Sequence, residues 1–130
     1  MDKLNSRVSN TTALAYIGDA VYEVFIRKYV MENGTANVNA LNKKAISYVC
    51  ADGQAKAVRG LMENFLTEEE TALVKRGRNH SITSRPRGST PTNYKLATGF
   101  EALIGFLYLN GDNDRLEEVV KETIRLIEER

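Results

Sequence analysis

The chain has 130 residues, 42% of them hydrophobic and 27% charged, which suits one compact core and is too little for two comfortable ones. No stretch reaches the roughly 20 apolar residues a membrane span needs, and the polar start "MDKLNSRVSN" has no apolar segment of a secretory signal behind it, so a cytoplasmic protein is expected. One cysteine, Cys50, and one histidine, His80, exclude an intrachain disulfide framework and a structural zinc site.

The net charge of +1 hides an uneven distribution: residues 71–100 carry Lys75, Arg76, Arg78, Arg85, Arg87 and Lys95 with no acid, so they hold +6 and the remainder −5. Charge alone leaves two readings of this segment, a solvated loop or a footprint for phosphate, RNA or another polyanion.

Taken in chain order, Leu14, Ile17, Val21, Val24 and Phe25 recur at helical spacing after two possible N-caps, Thr11 and Thr12, and stop at Asn33-Gly34. Val38, Leu41, Ala45, Ile46 and Val49 repeat the pattern, and Ala55, Val58, Leu61, Met62 and Phe65 continue it past a weak break at Asp52-Gly53. "TEEE" at 67–70 predicts a capping box, Thr67 with Glu70, opening a short helix into "KRGRN". From Gly77 to Thr92 both prolines, two glycines and several Ser/Thr residues predict one long loop. Helical spacing resumes through Leu96, Phe100, Leu103, Ile104 and Leu107, halts at Asn110-Gly111, and restarts in "DNDRLEEVVKETIRLIEER". No strand-like alternation appears, so the expectation is an all-α single domain over 1–130 with about six or seven helices.

Two helices carry residues a core does not need. In "LAYIGDAVYEVFIRKYV", residues 14–30, Gly18 and Asp19 sit mid-helix, although glycine costs about 1 kcal/mol there. Asp19 shares a predicted face with Tyr16, Ala20 and Glu23, away from Leu14, Ile17, Val21 and Val24. In "LATGFEALIGFLYL" Glu101 is the lone charge in fourteen residues, and such a carboxylate must be paired, protonated or metal-bound. If the helices pack face to face, Gly18 and Gly105 permit close backbone approach and Asp19 and Glu101 converge on one cation, with Mg²⁺ fitting an oxygen site of few carboxylates. The alternative is structural: Asp19 caps a kinked helix and Glu101 pairs with an arginine such as Arg59.

These segments resemble the ribonuclease III family. "LAYIGDAVYEVFIRKYV" is similar to its signature helix, Leu-x-x-Leu-Gly-Asp-Ala-Val, and "FEALIGFLYLNG" to its second acidic helix. The short branch without a double-stranded-RNA-binding domain, Mini-ribonuclease III, is similar over almost the whole chain, including "CADGQAKAV", "FLTEEE" and "VKRGRN". The resemblance implies Asp19 and Glu101 as catalytic, metal-binding carboxylates, Mg²⁺-dependent cleavage of double-stranded RNA by in-line attack of water, and a homodimer. It also implies trimming of stems in the 23S ribosomal RNA precursor and leaves room for a ribosomal protein as helper. Ala15 and Thr98 stand where full-length members carry two further acids, a reduced set shared by the short branch.

With no appended binding domain, such a nuclease holds its duplex with its own surface. Lys75, Arg76, Arg78, Arg85, Arg87 and Lys95 are therefore the expected RNA contacts, reaching phosphates and 2′-hydroxyls. His80 is expected to make a hydrogen bond or an RNA contact, and Cys50 to be a small core residue. Phe25, Ile26, Tyr29 and Val30 extend beyond the Leu14 stripe and suggest a dimer face. The competing hypothesis is a non-catalytic double-stranded-RNA-binding or ribosome-assembly protein on the same fold. It gives no reason to keep two lone acids beside a polyanion.

Overall fold

A computed structural model describes residues 10–34, 37–80 and 89–129, and these form six helices and no strand. They are α1 (Thr11–Glu32), α2 (Val38–Val49), α3 (Ala51–Asn64), α4 (Glu68–Asn79), α5 (Pro91–Leu109) and α6 (Asn113–Glu128). The all-α expectation holds. No described helix is long and apolar enough to cross a membrane.

Helix α5 is the axis of the domain, packing against α1, α3, α4 and α6. Its sequence is apolar on nearly every side because it has neighbours on nearly every side: Leu96, Ala97, Phe100, Ala102, Leu103, Ile104 and Leu107 are all buried. Thr90 opens it, its hydroxyl accepting from the Asn93 N–H at 3.1 Å, and Pro91 occupies the first turn, where a missing N–H costs nothing. It ends at Asn110-Gly111. The Gly111 and Asp112 N–H groups turn back onto the carbonyls of Tyr108 and Leu107, and this reversal needs the left-handed φ of 73° that Gly111 adopts.

Three boundaries differ from those predicted. Asn10, and neither threonine, caps α1, its side chain accepting from the Ala13 N–H at 3.0 Å, while Thr11 is a buried first-turn residue. Helix α4 runs through Gly77 to Asn79, and Pro91 and Thr92 belong to α5, so the connection is shorter than the composition suggests. Gly77 continues the helix because it packs on Gly99 of α5: a methyl group on Gly99 would strike the Val74 carbonyl. Residues 81–88 of the predicted loop, with Arg85 and Arg87, lie outside the described residues. Cys50 is exposed and ends the apolar run as the N-cap of α3, its Sγ accepting from the Gly53 N–H at 3.4 Å.

The capping box on α4 is present as predicted, Thr67 Oγ1 accepting from the Glu70 N–H at 3.1 Å and Glu70 Oε1 from the Thr67 N–H at 3.0 Å. Glu70 also receives Arg115 of α6 through two N–H donors at 2.9 and 2.7 Å, and that guanidinium lies over the Phe65 ring. At the other end of α6, Glu128 accepts from the hydroxyls of Tyr29 and Tyr48 at 2.6 and 2.7 Å, fastening the helix to α1 and α2.

Candidate active site

The buried stripe of α1 is Leu14, Ala15, Gly18, Tyr22, Ile26 and Val30, rotated from the Leu14–Ile17–Val21–Val24 stripe predicted. Val24 is 67% exposed. The predicted dimer face is corrected as well: Ile26 and Val30 are fully buried in the protomer core, and Phe25 and Tyr29 pack against it. Sequence pattern leaves several apolar faces on α1. Packing chooses the one that carries Gly18, because α5 can approach it most closely there.

The approach is at backbone distance. A methyl group on Gly18 would overlap the Glu101 carbonyl oxygen, and one on Gly105 would overlap the Leu14 carbonyl oxygen. The glycines thus meet reciprocally across the crossing, as the sequence predicts, and the approach they allow offsets their cost in helix propensity.

The same crossing brings Asp19 near enough to Glu101 to act on its carboxyl, Asp19 exposed and Glu101 half-buried. Burial pushes the Glu101 carboxyl up from 4.5 to about 8, the negative charge of Asp19 and their mutual hydrogen bond push the same way, and the side chain of Gln54 opposes them. Among the described residues no cation figures in the groups acting on Glu101. Asp19 caps no helix end, since α1 runs from Thr11 to Glu32, and Arg59, the arginine named for Glu101, donates instead to Asn93 Oδ1 at 2.6 Å while Asn93 donates to Asp52 Oδ1 at 2.9 Å.

Tyr22 and Phe100 floor this region edge to face, with ring centroids 5.0 Å apart. The Tyr22 hydroxyl donates to the Tyr48 carbonyl at 2.8 Å, and burial holds it well above the usual phenol range. Thr98, at one of the two positions lacking the family's further acids, turns its hydroxyl back to the Tyr94 carbonyl at 3.0 Å. Among the described residues no cluster of three or more His, Cys, Asp or Glu side chains exists, so this site has two carboxylates and no third. Two carboxylates with no cationic neighbour among the described residues nonetheless fit a hard divalent cation, whose charge would relieve the repulsion that burial intensifies.

The basic candidates form a separate group. Lys75 and Arg76 are exposed on α4, Arg78 is half-buried there and donates to Asn79 Oδ1 at 3.1 Å, and Lys95 is exposed near the start of α5. Arg76 and Arg78 occupy the last turn of α4, where cations also suit the helix dipole. His80 caps this end: its Nδ1 is 2.8 Å from the Arg76 carbonyl, which only accepts, so Nδ1 is the donor in that bond.

The sequence reading missed Gln54. It is 1% exposed, on the face of α3 with Ala55, Val58 and Leu61, and a glutamine at helical spacing in such a stripe is the signal that would have marked it.

An all-α domain with two acids meeting at a glycine-lined crossing defines a class that the comparisons name. The Ribonuclease III domain model matches residues 12–112, and the chain belongs to the ribonuclease III family, in its Mini-ribonuclease 3 branch. It is 44% identical over 128 residues to the Mini-ribonuclease 3 of Clostridium tetani, covering 98% of this chain and 84% of that one. It is 45% identical over 115 residues to that of Symbiobacterium thermophilum, covering 88% of each. A crystal structure of a Fusobacterium nucleatum protein superposes with a TM-score of 0.79 at 35% identity, covering 88% of this chain and 91% of that one. The protein is thus an endoribonuclease of this family.

Proposed function

We propose that the protein cleaves double-stranded RNA in a Mg²⁺-dependent reaction, with Asp19 and Glu101 as the catalytic, metal-holding residues of each protomer. The observation that carries this reading is the meeting of these two carboxylates across the Gly18/Gly105 crossing, with no cation of the described residues acting on Glu101. When bound there, Mg²⁺ would supply positive charge to the phosphate and a more acidic water. Asp19, exposed, is the carboxylate that reaches toward solvent and substrate, and Glu101 supplies the second oxygen from α5. Lys75, Arg76, Arg78 and Lys95, with Arg85 and Arg87 of the neighbouring segment, bind the RNA backbone and set its register.

The functional unit in this reading is a homodimer, one site per strand. Its support is the outer face of α1: Ala13, Tyr16, Ala20, Val24 and Met31 recur at helical spacing opposite the core, with Tyr16 83% and Val24 67% exposed. Stems of the 23S ribosomal RNA precursor are the proposed substrate, by membership of the Mini-ribonuclease 3 branch.

The test is cleavage of a labelled RNA duplex with and without Mg²⁺ by the wild-type protein, Asp19→Asn and Glu101→Gln. Metal-dependent cutting by wild type, reduced more than about a hundredfold in both variants with duplex binding retained, is the expected result. Binding without cutting by wild type would replace this reading with that of an RNA-binding assembly factor. Light scattering at micromolar concentration tests the dimer, and a monomer that still cuts both strands would refute it.

A further inference from the structure

Arg59 is a cation held in place by a neutral group. It lies exposed on α3, and its guanidinium donates to Asn93 Oδ1 of α5 at 2.6 Å, while Asn93 Nδ2 donates to Asp52 Oδ1 at 2.9 Å and the Asn93 N–H to Thr90 Oγ1 at 3.1 Å. A guanidinium only donates and a carboxylate only accepts, so the two side-chain bonds fix which end of the Asn93 amide is oxygen. Asp52 and Arg59 are two helical turns apart on one face of α3, and a direct pairing of the two would serve if neutralising the arginine were the purpose. Among the described residues Arg59 forms no ion pair, because the amide stands between the two charges. The charge is kept, and the remaining N–H donors of the fork are left for another partner.

Its place matters as much as its charge. Helix α4 runs antiparallel to α5: its Val74 and Gly77 meet Gly99, and its first residues line one cleft with Phe106 and Asn110. The end of α4, with Arg76 and Arg78, therefore lies beside the first half of α5, and Lys95 shares the α4-facing side of α5 with Gly99 and Ala102 at helical spacing. Asn93, two residues before Lys95, faces α3 instead. Among the described residues, those already assigned to RNA stand on the α4 side, and Arg59 adds a cation on the α3 side, with the first turns of α5 between. Lys56, also on α3, is committed elsewhere, donating to the Ile127 and Glu129 carbonyls at 3.3 and 2.6 Å. Asn93 precedes Glu101 by two turns of α5, roughly 12 Å, so Arg59 belongs to the same end of the domain as the acid pair.

We propose that Arg59 is a further contact to the RNA backbone, its guanidinium held toward a phosphate by the Asn93 amide, which Asp52 orients. This rests on the reading that the protein binds double-stranded RNA. Phosphate contacts fix the register of a duplex without reading its sequence, and contacts from one flank alone leave the backbone free to pivot about them. A contact on the opposite flank of α5 removes that freedom and sets the direction in which a strand crosses Asp19 and Glu101. Arginine suits the task because its planar fork takes two phosphate oxygens at once. A neutral tether suits it as well, since an incoming phosphate has no ion pair to break. Asn93 and Asp52 are positioning residues in this arrangement and act through Arg59.

The experiment measures binding of a labelled RNA duplex by the full chain carrying Asp19→Asn, from about 50 to 200 mM salt, with melting temperature recorded for each further variant. Arg59→Gln should lower the slope of log affinity against log salt by about 1, melting within about 2 °C of the parent, and Arg59→Lys, which keeps the charge, should restore the slope. Asn93→Ala should weaken binding severalfold when Arg59 is present and not at all alongside Arg59→Gln, because it acts through the arginine. A full slope in folded Arg59→Gln, or a slope that Arg59→Lys fails to restore, overturns the contact and leaves RNA binding standing. Equal losses from Asn93→Ala with and without Arg59 overturn the tether. A parent whose duplex affinity is absent or indifferent to salt overturns the RNA-binding reading and this inference with it. Should Arg59→Gln fail to fold, the Nε–H resonance of Arg59 in the parent decides: it should shift when duplex is added, and an unmoved resonance overturns the proposal.

Discussion

Glu101 and Glu70 are both partly buried glutamates facing a second helix, and their surroundings treat them in opposite ways. At the α4–α6 junction Glu70 is supplied with everything a carboxylate wants: two N–H groups from Arg115, the Thr67 N–H, and a place in the first turn of a helix. Arg115 therefore holds the Glu70 carboxyl below its usual range. At the α1–α5 crossing Glu101 is given burial, a second negative charge and one neutral amide, and its carboxyl rises to about 8. The first arrangement stabilises the fold. The second costs stability in the free protein, and a perturbed carboxyl of this kind is what the proposed metal-holding role would require.

The largest effect on this contrast should come from the crossing itself. Gly105→Ala places a methyl group against the Leu14 carbonyl oxygen, and the two helices must separate to admit it. Such overpacking is expected to cost about 2–3 kcal/mol, a drop of roughly 8 °C or more in melting temperature, together with loss of cleavage as Asp19 and Glu101 part. A variant melting within a degree or two of wild type would mean that the helices have slack there, and that the glycines do not set the spacing of the two acids.

Charge removal separates the two glutamates next. Between pH 4.5 and about 8 native Glu101 holds a proton that the unfolded chain has given up, so metal-free wild type loses stability as pH rises through this window. Glu101→Gln should consequently be more stable than wild type by about 1–2 kcal/mol at pH 9, after allowance for solvent screening, and equal to it near pH 4.5. Glu70 has the opposite sign: its lowered carboxyl contributes stability that is complete above 4.5 and lost as pH falls through its native value. Glu70→Gln, which keeps a capping-box side chain, should be less stable by about 1–2 kcal/mol at pH 7, with the deficit closing in acid. Urea titrations in chelator from pH 3 to 9 give both curves, and curves of the same sign would erase the distinction.

The glycine and the acids were legible because each is a residue type that its surroundings do not favour. Gly18 is mid-helix, and Glu101 is alone among apolar residues. The face of α1 was not legible in the same way. Leu14, Ile17, Val21 and Val24 form a sound apolar stripe, yet the core takes Ala15, Gly18, Tyr22 and Ile26, because the choice depends on how near α5 can come and that is a property of two helices together. The loop predicted from Gly77 onward starts too early for a related reason: Gly77's partner Gly99 is 22 residues away, and only their contact shows the helix passing through. Cys50 was hidden inside "YVCAD", where an apolar run conceals the junction of two helices. The place of Arg59 shows only once α3 lies on α5.

The smallest expected effect concerns the basic end of α4, where the contrast between fold and function is drawn within single residues. Arg76 and Arg78 sit in the last turn, next to carbonyls they can favour electrostatically, so either can serve the helix, the RNA, or both. Replacing both with alanine should cost the free protein less than about 1 kcal/mol. Each lost phosphate contact should reduce the slope of log affinity against log salt by about 1. Measuring duplex binding by a catalytically silent Asp19→Asn background from low to moderate salt isolates this term. A reduced slope assigns the pair to the RNA. An unchanged slope with a lowered melting temperature assigns it to the helix, leaving Lys75, Lys95 and the adjoining Arg85 and Arg87 as the candidates that grip the duplex.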